Sequence, residues 1–228
     1  MKLFNGKVGV VIIGPPGSGK GTQAELLSKK LDLFHFDTGV FLRKLLYSPT
    51  KNKEILKERK LNESGKLNTP AWVLKVVSQR VKEISKLGQS IVFSGSPRSE
   101  FEAFGDKKNK GLIEILAKEY GKKNLFVFNI EIPEKESVKR NKKRMTCLVC
   151  RSPIMSGDKK MASCPFCGGR LQIRKDDKEE IIKLRLEEYR DRTFPILKKL
   201  KSKGYRVIKI NGQPLPYKIH QRIISFFG

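Results

Sequence analysis

The feature that most constrains this chain is a glycine-rich segment between an apolar run and a stretch of helical periodicity. Residues 14–23 read Gly-Pro-Pro-Gly-Ser-Gly-Lys-Gly-Thr-Gln, after the apolar run 8–13 and before helically spaced apolar residues over 24–31. This order of strand, glycine-rich turn and helix is the context in which a G-x-x-x-x-G-K segment binds phosphate. The glycines let successive backbone N–H groups point at an anion, and the dipole of the following helix favours negative charge there.

The segment predicts a site for the phosphates of a nucleoside triphosphate together with Mg²⁺. Lys20 is placed to reach the β- and γ-phosphates. Gly21 follows the lysine, so the hydroxyl that faces Mg²⁺ is predicted to come from Thr22. A glycine-rich turn that binds nothing is the alternative, and the lysine and flanking elements argue against it. The residues predicted to bind the nucleotide phosphates are Gly17, Ser18, Gly19, Lys20, Gly21 and Thr22.

Strands alternate with helices along most of the chain, which predicts an α/β fold. Apolar runs predict strands at 8–13, 33–36, 90–94, 125–132 and 206–210. Helical spacing predicts helices at 20–31, 38–46, 53–62, 71–86, 112–120, 134–143, 178–203 and 215–226. Such alternation indicates a mostly parallel sheet flanked by helices, with ligands at the carboxyl ends of the strands. No run of eighteen apolar residues occurs, so no segment is predicted to span a membrane.

Two segments interrupt the alternation, and both are predicted to be insertions at the ligand edge of the sheet. Residues 37–79 hold consecutive helical patterns, and residues 143–177 hold all four cysteines among prolines and glycines. A capping box of Asp177 and Glu180 is predicted to begin the helix after the second insertion. The predicted division is a core of residues 1–36, 80–142 and 178–228, a helical insert at 37–79 and a cysteine insert at 143–177.

The cysteines form two C-x-x-C pairs, Cys147 with Cys150 and Cys164 with Cys167. Four thiolates around one ion give the closed tetrahedral arrangement of a structural zinc site. Iron binds the same ligand set, and disulfides or unrelated thiols are further alternatives, but zinc is preferred. The insert has few large apolar residues, so the metal is predicted to replace a hydrophobic core. Metal-binding cysteines and an N-terminus without signal-peptide architecture predict a reducing, cytoplasmic setting.

The chain is strongly basic, with 49 lysines and arginines against 23 acids and a formal net charge of +26. Nucleic-acid binding is one explanation, because cationic side chains neutralise backbone phosphates. The basic residues occur in nearly every segment rather than in one patch, which favours a lysine-rich surface plus arginines that bind nucleotides. A nucleic-acid partner is therefore not predicted, and an ATP-binding module that acts on nucleic acid is kept as an alternative function.

Several arginines fall at predicted strand ends and at the hinges of the inserts. They are Arg43, Arg98, Arg140, Arg144, Arg174 and Arg185. The chain has two histidines, His35 and His220, and no nucleophile–base motif. A phosphate acceptor already carries ionised oxygens, so its phosphorylation needs positioning and charge neutralisation but no general base. The pattern predicts transfer of a phosphoryl group from one nucleotide to another.

In kind and order, these motifs resemble those of the adenylate kinase family in its long form with a zinc-bearing lid. The resemblance covers nearly the whole chain, from the glycine loop to the C-terminal helix. It implies a P-loop NTPase-type fold in which insert 37–79 binds the nucleoside monophosphate and insert 143–177 closes over ATP. It also implies reversible, Mg²⁺-dependent transfer from ATP to AMP to give two ADP, a structural Zn²⁺ and a monomer.

The resemblance further implies roles for single residues. Arg140 corresponds to the arginine that stacks on the donor adenine, and Arg144 to a lid arginine on the donor phosphates. The residues implied to act on the transferring phosphoryl group are Lys20, Arg98, Arg144, Arg174 and Arg185. Those implied to bind the acceptor are Thr38, Gly39, Arg43, Leu67, Gly95, Arg98, Glu102, Arg174 and Arg185.

Departures from the family pattern concern Mg²⁺ and the acceptor base. Ser94 replaces a strand-end aspartate that holds a water on Mg²⁺, and Val40 replaces an aspartate after the Thr-Gly pair. Glu102 replaces a glutamine that reads the adenine edge. A glutamine amide both donates and accepts, whereas an ionised carboxylate only accepts. The overall resemblance favours AMP as the acceptor. A different monophosphate, selected by Glu102, is the alternative.

Overall fold

The computed structural model describes residues 6–64, 66–155, 161–173 and 177–228. Its strands are β1 (Gly9–Ile13), β2 (Phe34–Asp37), β3 (Ile91–Ser94), β4 (Leu125–Glu131), β5 (Arg144–Cys147), β6 (Pro153–Met155), β7 (Leu171–Ile173) and β8 (Val207–Asn211). Its helices are α1 (Lys20–Leu31), α2 (Thr38–Leu46), α3 (Lys53–Glu63), α4 (Pro70–Lys86), α5 (Glu100–Phe104), α6 (Leu112–Tyr120), α7 (Glu134–Lys143), α8 (Glu179–Glu188), α9 (Phe194–Ser202) and α10 (Pro216–Ile224).

The central sheet is parallel and has β1 in its middle, in the order β2-β3-β1-β4-β8. Every residue of β1 is buried, as expected for a valine and isoleucine run in a sheet covered on both faces. Val10 lies beside Val92 of β3 and Phe126 of β4. The sheet confirms the predicted α/β class, and each of the five predicted strands ends within one residue of the observed bounds.

The alternation of side chains along β1 divides the core into two layers. Val11 and Ile13 pack in one layer against helices α4, α6 and α9. Val10 and Ile12 pack in the other layer against α1 and α10. Because both layers are filled, the sheet holds the carboxyl end of β1, where the glycine loop begins, in a fixed position.

The helical insert consists of α2, α3 and the beginning of α4, and polar side chains hold it together. Asn52 caps α3 by accepting hydrogen bonds from the backbone of Glu54 and Ile55. Glu58 is 2% exposed, and its Oε2 accepts from the Thr69 N–H at 2.8 Å and from Asn68 Nδ2 at 3.0 Å. Within the described part of 38–79 the insert contains helices and turns alone, as the sequence predicts.

The cysteine insert contains a three-stranded antiparallel sheet, in the order β6-β5-β7, that the sequence analysis did not predict. Strands of three or four residues are too short to show a period-two pattern. Among the described residues of the insert, the buried cluster is small and consists of Cys147, Ile154, Cys164 and Leu171. A cluster of this size leaves little apolar burial to stabilise the insert.

The helical region after the cysteine insert differs from the prediction in two ways. The predicted capping box is wrong, because Asp177 contacts an arginine and the N-cap residue of α8 is Lys178, whose side chain makes no capping hydrogen bond. The predicted helix 178–203 is interrupted by a π-helical turn, Tyr189–Thr193, in which the Phe194 N–H donates to the Tyr189 carbonyl. Pro195 lacks the N–H that would continue an α-helical ladder, which explains the wider turn there.

Candidate active site

The glycine loop joins β1 to α1, and close contacts require glycine in it. A Cβ on Gly14 would lie 2.4 Å from the carbonyl oxygen of Ile130 and 2.7 Å from Ser18 Oγ, so a larger residue does not fit. Gly19 precedes α1 as its N-cap, with φ 91° in the left-handed region that favours glycine. The N–H groups of the first turn of α1 therefore point into the loop, where they can bind phosphate.

Two side chains of α7 support the loop, and sequence reasoning missed both. Ser137 Oγ donates to the Pro16 carbonyl at 2.6 Å. Asn141 Nδ2 donates to the Ser137 carbonyl at 2.8 Å. The same Nδ2 atom would lie 2.6 Å from a Cβ on Gly17. Both residues are fully buried. Their i, i+4 spacing places polar groups on one face of a helix, and this was the signal available in the sequence.

Lys20 lies within the loop, in a strongly cationic environment. Its Nζ donates to the carbonyl oxygens of Gly14 and Pro15, both at 2.7 Å. Burial lowers the pKa of Lys20 well below its usual value. The guanidinium groups that lower it further, in decreasing order of effect, are those of Arg98, Arg185 and Arg144. Cations brought this close together create a site for phosphate.

The residues predicted to bind the acceptor phosphate meet next to the loop. A Cβ on Gly39 would lie 3.3 Å from Arg43 Nη1, and a Cβ on Gly95 would lie 3.5 Å from Arg98 Nη2 and 3.8 Å from Gly39 N. Arg98 Nε donates to the Gly95 carbonyl at 2.7 Å. Thr38 is 2% exposed, and within the described ranges its hydroxyl has no hydrogen-bond partner. A buried hydroxyl of this kind is expected where a ligand completes the site.

One carboxylate at the end of the cysteine insert contacts two arginines, one at the start of the insert and one on α8. Arg144 Nε donates to Asp177 Oδ2 at 2.9 Å, and its Nη2 donates to Oδ1 at 2.5 Å. Arg185 Nη1 lies 3.6 Å from the same Oδ1. The Asp177 side chain is fully buried, so these charge-assisted contacts form away from solvent. Sequence reasoning gave Asp177 a capping role and missed this one.

The remaining predicted residues are placed less centrally. Arg140 donates from Nη1 to the Gly212 carbonyl at 2.8 Å and from Nη2 to the Gln213 carbonyl at 3.0 Å, which fixes its guanidinium beside the end of β8. Leu67 is half-buried in the connection between α3 and α4. Arg174 lies outside the described residues. The donor-adenine role of Arg140 stays a prediction.

Glu102, predicted to face the acceptor base, is turned toward the start of its own helix. It is 3% exposed, and its Oε2 accepts from the Arg98 N–H at 2.9 Å. Ser99 Oγ donates to Glu102 Oε1 at 3.4 Å and accepts from the Glu102 N–H at 3.2 Å. This reciprocal arrangement is similar to a capping box. Burial raises the pKa of Glu102, despite the opposing hydrogen bond from the Arg98 backbone.

Glu102→Gln should raise the melting temperature at neutral pH, and the gain should disappear toward about pH 4. Folding raises the pKa of Glu102, so its ionised form costs stability at neutral pH and protonation removes that cost as the pH falls. The glutamine carbonyl can still accept from Arg98 N–H. Thermal melts across this pH range measure the effect, with Glu100→Gln on the exposed face of the same helix as the control. Equal melting temperatures at neutral pH would contradict the prediction.

The four cysteines meet in one cluster. Their Sγ atoms all lie within 4.8 Å of one another, and all four are free thiols. Cys147 Sγ is 3.5 Å from Cys167 Sγ, and Cys150 Sγ is 3.7 Å from Cys164 Sγ. Hydrogen bonds from the hydroxyl and backbone of Ser152 lower the pKa of Cys150 to about 6, which favours the thiolate. The ligand set is compatible with a tetrahedral zinc ion.

Together the fold and the site define a P-loop phosphotransferase with two inserts. The phosphate loop follows the central strand, and cationic groups from separate elements lower the pKa of its lysine. Arginines and glycines predicted to bind a second phosphate stand at the adjoining strand ends. Among the helices of the described ranges, none has the length and apolar character that crossing a bilayer requires.

Comparison with known proteins identifies the family within this class. Residues 12–205 match the family model for adenylate kinase. The chain is 36% identical over 203 residues to an adenylate kinase of Caldicellulosiruptor bescii, covering 87% of this chain and 89% of that protein. It is 33% identical over 218 residues to an adenylate kinase of Dehalococcoides mccartyi, covering 95% and 96%. The chain therefore belongs to the adenylate kinase family and is a phosphotransferase with a phosphate group as acceptor.

Proposed function

We propose that this protein is an adenylate kinase that reversibly transfers the γ-phosphoryl group of ATP to AMP, giving two ADP. The observation that carries the proposal is the convergence of cations on Lys20. Arg98 follows β3, Arg144 begins the cysteine insert and Arg185 lies on α8, and all three act on this lysine. Cations arranged in this way stabilise the charge of a phosphoryl group in transfer.

The acceptor half of the site supports transfer to a phosphate. Arg43 and Arg98 approach Gly39 and Gly95 at the ends of β2 and β3, where a monophosphate can lie between them and the loop. The oxygens of such an acceptor are ionised at neutral pH, so no side chain has to remove a proton from it. Lys20 and the arginines of the site have to orient the two phosphates and neutralise the charge by which they repel each other.

Mg²⁺ belongs to this proposal, and the oxygens at the site fit it. Thr22 presents a hydroxyl on the first turn of α1, and Asp37 and Ser94 end two adjacent strands nearby. Oxygen donors, with phosphate oxygens and water, are the ligands that Mg²⁺ prefers. When bound, the ion neutralises charge on the β- and γ-phosphates, and Thr22 is the residue proposed to hold it.

We propose Zn²⁺ as the ion of the cysteine cluster, with a structural role. Four thiolates satisfy a tetrahedral ion completely and leave no open position for chemistry. The metal would link Cys147 and Cys150 to Cys164 and Cys167, and so join two segments of an insert whose described apolar cluster is small.

The two inserts are proposed to close over the two nucleotides. Residues 37–79, which include Arg43, are assigned to the acceptor nucleotide, and residues 143–177, which include Arg144, are assigned to the donor. The contact of Arg144 and Arg185 with Asp177 connects the second insert to α8, so closure and arginine placement are coupled. Closure would exclude water and limit hydrolysis of ATP.

The purified protein should phosphorylate AMP with ATP and Mg²⁺ at about 1 to 10³ s⁻¹, and should convert ADP into ATP and AMP. A coupled assay with AMP, GMP, CMP, UMP and dTMP gives the acceptor ranking, in which AMP should come first. A ranking led by another monophosphate and reversed by Glu102→Gln would instead support base selection by Glu102. Transfer to none of the five acceptors would overturn the proposed function.

A further inference from the structure

The strand end beside the phosphate loop lacks a carboxylate. Phosphate-loop NTPases commonly hold Mg²⁺ with the loop hydroxyl and with an aspartate from a neighbouring part of the sheet. Here β3, the neighbour of β1, ends in Ser94, in register with Ile12. Ser94 is 4% exposed, and its Oγ lies 2.9 Å from His35 Nε2. This strand end therefore offers a hydroxyl shared with an imidazole.

A carboxylate stands one strand further out. Asp37 ends β2 in register with Ser94, and neighbouring strands lie about 4.8 Å apart. Its Oδ1 accepts a hydrogen bond from the Val40 N–H at 2.9 Å. Among the described residues, this is the one hydrogen bond found for the Asp37 carboxylate. It holds the side chain in place and leaves Oδ2 to accept from a further donor.

The Asp37 carboxylate interacts electrostatically with Lys20 of the phosphate loop. Burial and Arg98 lower the pKa of Lys20, whereas Asp37 raises it, so the carboxylate lies within electrostatic reach of the lysine. A second acid near the carboxyl edge of the sheet, Glu131 at the end of β4, is engaged elsewhere. It accepts from Asn129 Nδ2 at 2.7 Å and pairs with Lys209 at 3.3 Å.

We propose that Asp37 supplies the carboxylate that positions Mg²⁺ in this protein, by accepting a hydrogen bond from a water molecule on the ion. The inference rests on the proposed function, because the ion arrives with ATP. A carboxylate on β2 is one strand farther from β1 than Ser94, so it reaches the ion through water. Asp37 is therefore a positioning residue, and Ser94 lies between it and β1 in the sheet.

The competing interpretation is that Asp37 serves only as the N-cap of α2. The two roles separate in Asp37→Asn, because asparagine caps a helix about as well as aspartate but carries no charge. Asp37→Ser is a second variant of the same kind, with a hydroxyl cap. Asp32→Asn is the matched control, since Asp32 is exposed at the C-terminus of α1, in the left-handed conformation that asparagine also tolerates.

The test is the affinity of Mn²⁺, a paramagnetic substitute for Mg²⁺, for the protein–ATP complex, measured from the free Mn²⁺ signal in electron paramagnetic resonance. Loss of a group that holds a metal ligand through a hydrogen bond weakens metal binding by about 10- to 100-fold. Asp37→Asn and Asp37→Ser should both show a loss of this size, with melting temperatures close to that of the native chain. Asp32→Asn should bind Mn²⁺ as the native chain does.

An Mn²⁺ affinity within twofold of the native value in both Asp37 variants would overturn the inference and leave Asp37 as a helix cap. The outcome is independent of the acceptor, because ATP and Mn²⁺ suffice for the measurement. Failure of the native protein to phosphorylate any monophosphate would count against the proposed function, while the comparison of Mn²⁺ affinities would still decide the role of Asp37.

Discussion

Lys20→Met should lower kcat/KM for phosphoryl transfer by about 10³-fold, with a folded protein remaining. The Lys20 ammonium lies in the phosphate loop, hydrogen-bonded to the Gly14 and Pro15 carbonyls. When ATP binds, its phosphates would replace these carbonyls as partners of the ammonium. Methionine keeps the length of the side chain but not its charge. The coupled assay with saturating Mg²⁺, over a series of ATP concentrations, measures the loss.

Stability should move in the opposite direction to activity. The pKa of Lys20 is lowered in the folded state, first by burial and then by Arg98, so its charged form costs stability at pH values below its ordinary pKa. Lys20→Met removes that cost, and its melting temperature at neutral pH should equal or exceed that of the native chain. Active sites commonly show this trade-off between stability and function.

Lys29→Met is the matched control for Lys20→Met. Lys29 lies on the same helix, its side chain is 72% exposed, and it pairs with Glu25 at 2.8 Å. An exposed i, i+4 pair contributes about 0.3 to 0.5 kcal/mol, and the control should keep full activity. Activity of Lys20→Met within tenfold of the native value, or an equal loss in Lys29→Met, would contradict the role assigned to Lys20.

Most of the sheet and its flanking helices were predictable because the central strands β1, β3 and β4 are largely apolar runs bounded by turns. The short helix α5 was not predicted. The β1 sequence is buried on both faces, which makes it a continuous run of valine and isoleucine rather than an alternating pattern. The glycine loop then fixed where β1 ends and α1 begins, and α1 has the predicted bounds, Lys20–Leu31. Long elements with strong periodicity carry their own signal, so tertiary contacts did not override it.

Parts of the site that depend on tertiary contacts were not predictable from one sequence. Ser137 and Asn141 support the loop from a helix more than a hundred residues away, and nothing local to them shows it. Asp177 matched a capping pattern, but a buried carboxylate near two arginines gains more from pairing with Arg144 than from capping α8. Glu102 shows that a local contact can be missed as well, since its Oε2 accepts from the Arg98 N–H four residues earlier, and its role toward an acceptor base stays a prediction. Local patterns do not tell which of two available partners a polar side chain takes.

The cysteine cluster leads to the second large prediction. Cys164→Ser should abolish metal binding and unfold the insert between Cys147 and Ile173, while the central sheet stays folded. Cys164 is one of the two buried cysteines of the cluster and belongs to the insert's small apolar core. Structural zinc sites contribute about 10 to 16 kcal/mol in small peptides at neutral pH, far more than this core could replace. The two core clusters beside the central sheet contain none of the insert's described residues, so they should be unaffected.

Three measurements check this prediction, and their combination locates the effect. Metal analysis should find about one zinc ion per native chain and almost none in Cys164→Ser, and iron in place of zinc would correct the proposed metal. Limited proteolysis should cut the variant within the insert, and circular dichroism should show a core melting transition close to the native one. Ser163→Ala, next to Cys164 on the exposed surface of the insert, is the matched control and should keep its metal.

The loss of metal should also reduce activity, because Arg144 lies near the start of the insert and Asp177, which contacts that arginine, lies at its end. An unfolded insert no longer fixes the distance between these two residues, so Arg144 is no longer held where its charge acts on Lys20, and the site stays open to water. The fall in kcat/KM should therefore appear for ATP with Cys164→Ser and should be absent with Ser163→Ala. A variant that has lost its metal but keeps native activity and resistance to protease would show that the insert folds without an ion, and would contradict a structural role for the cluster.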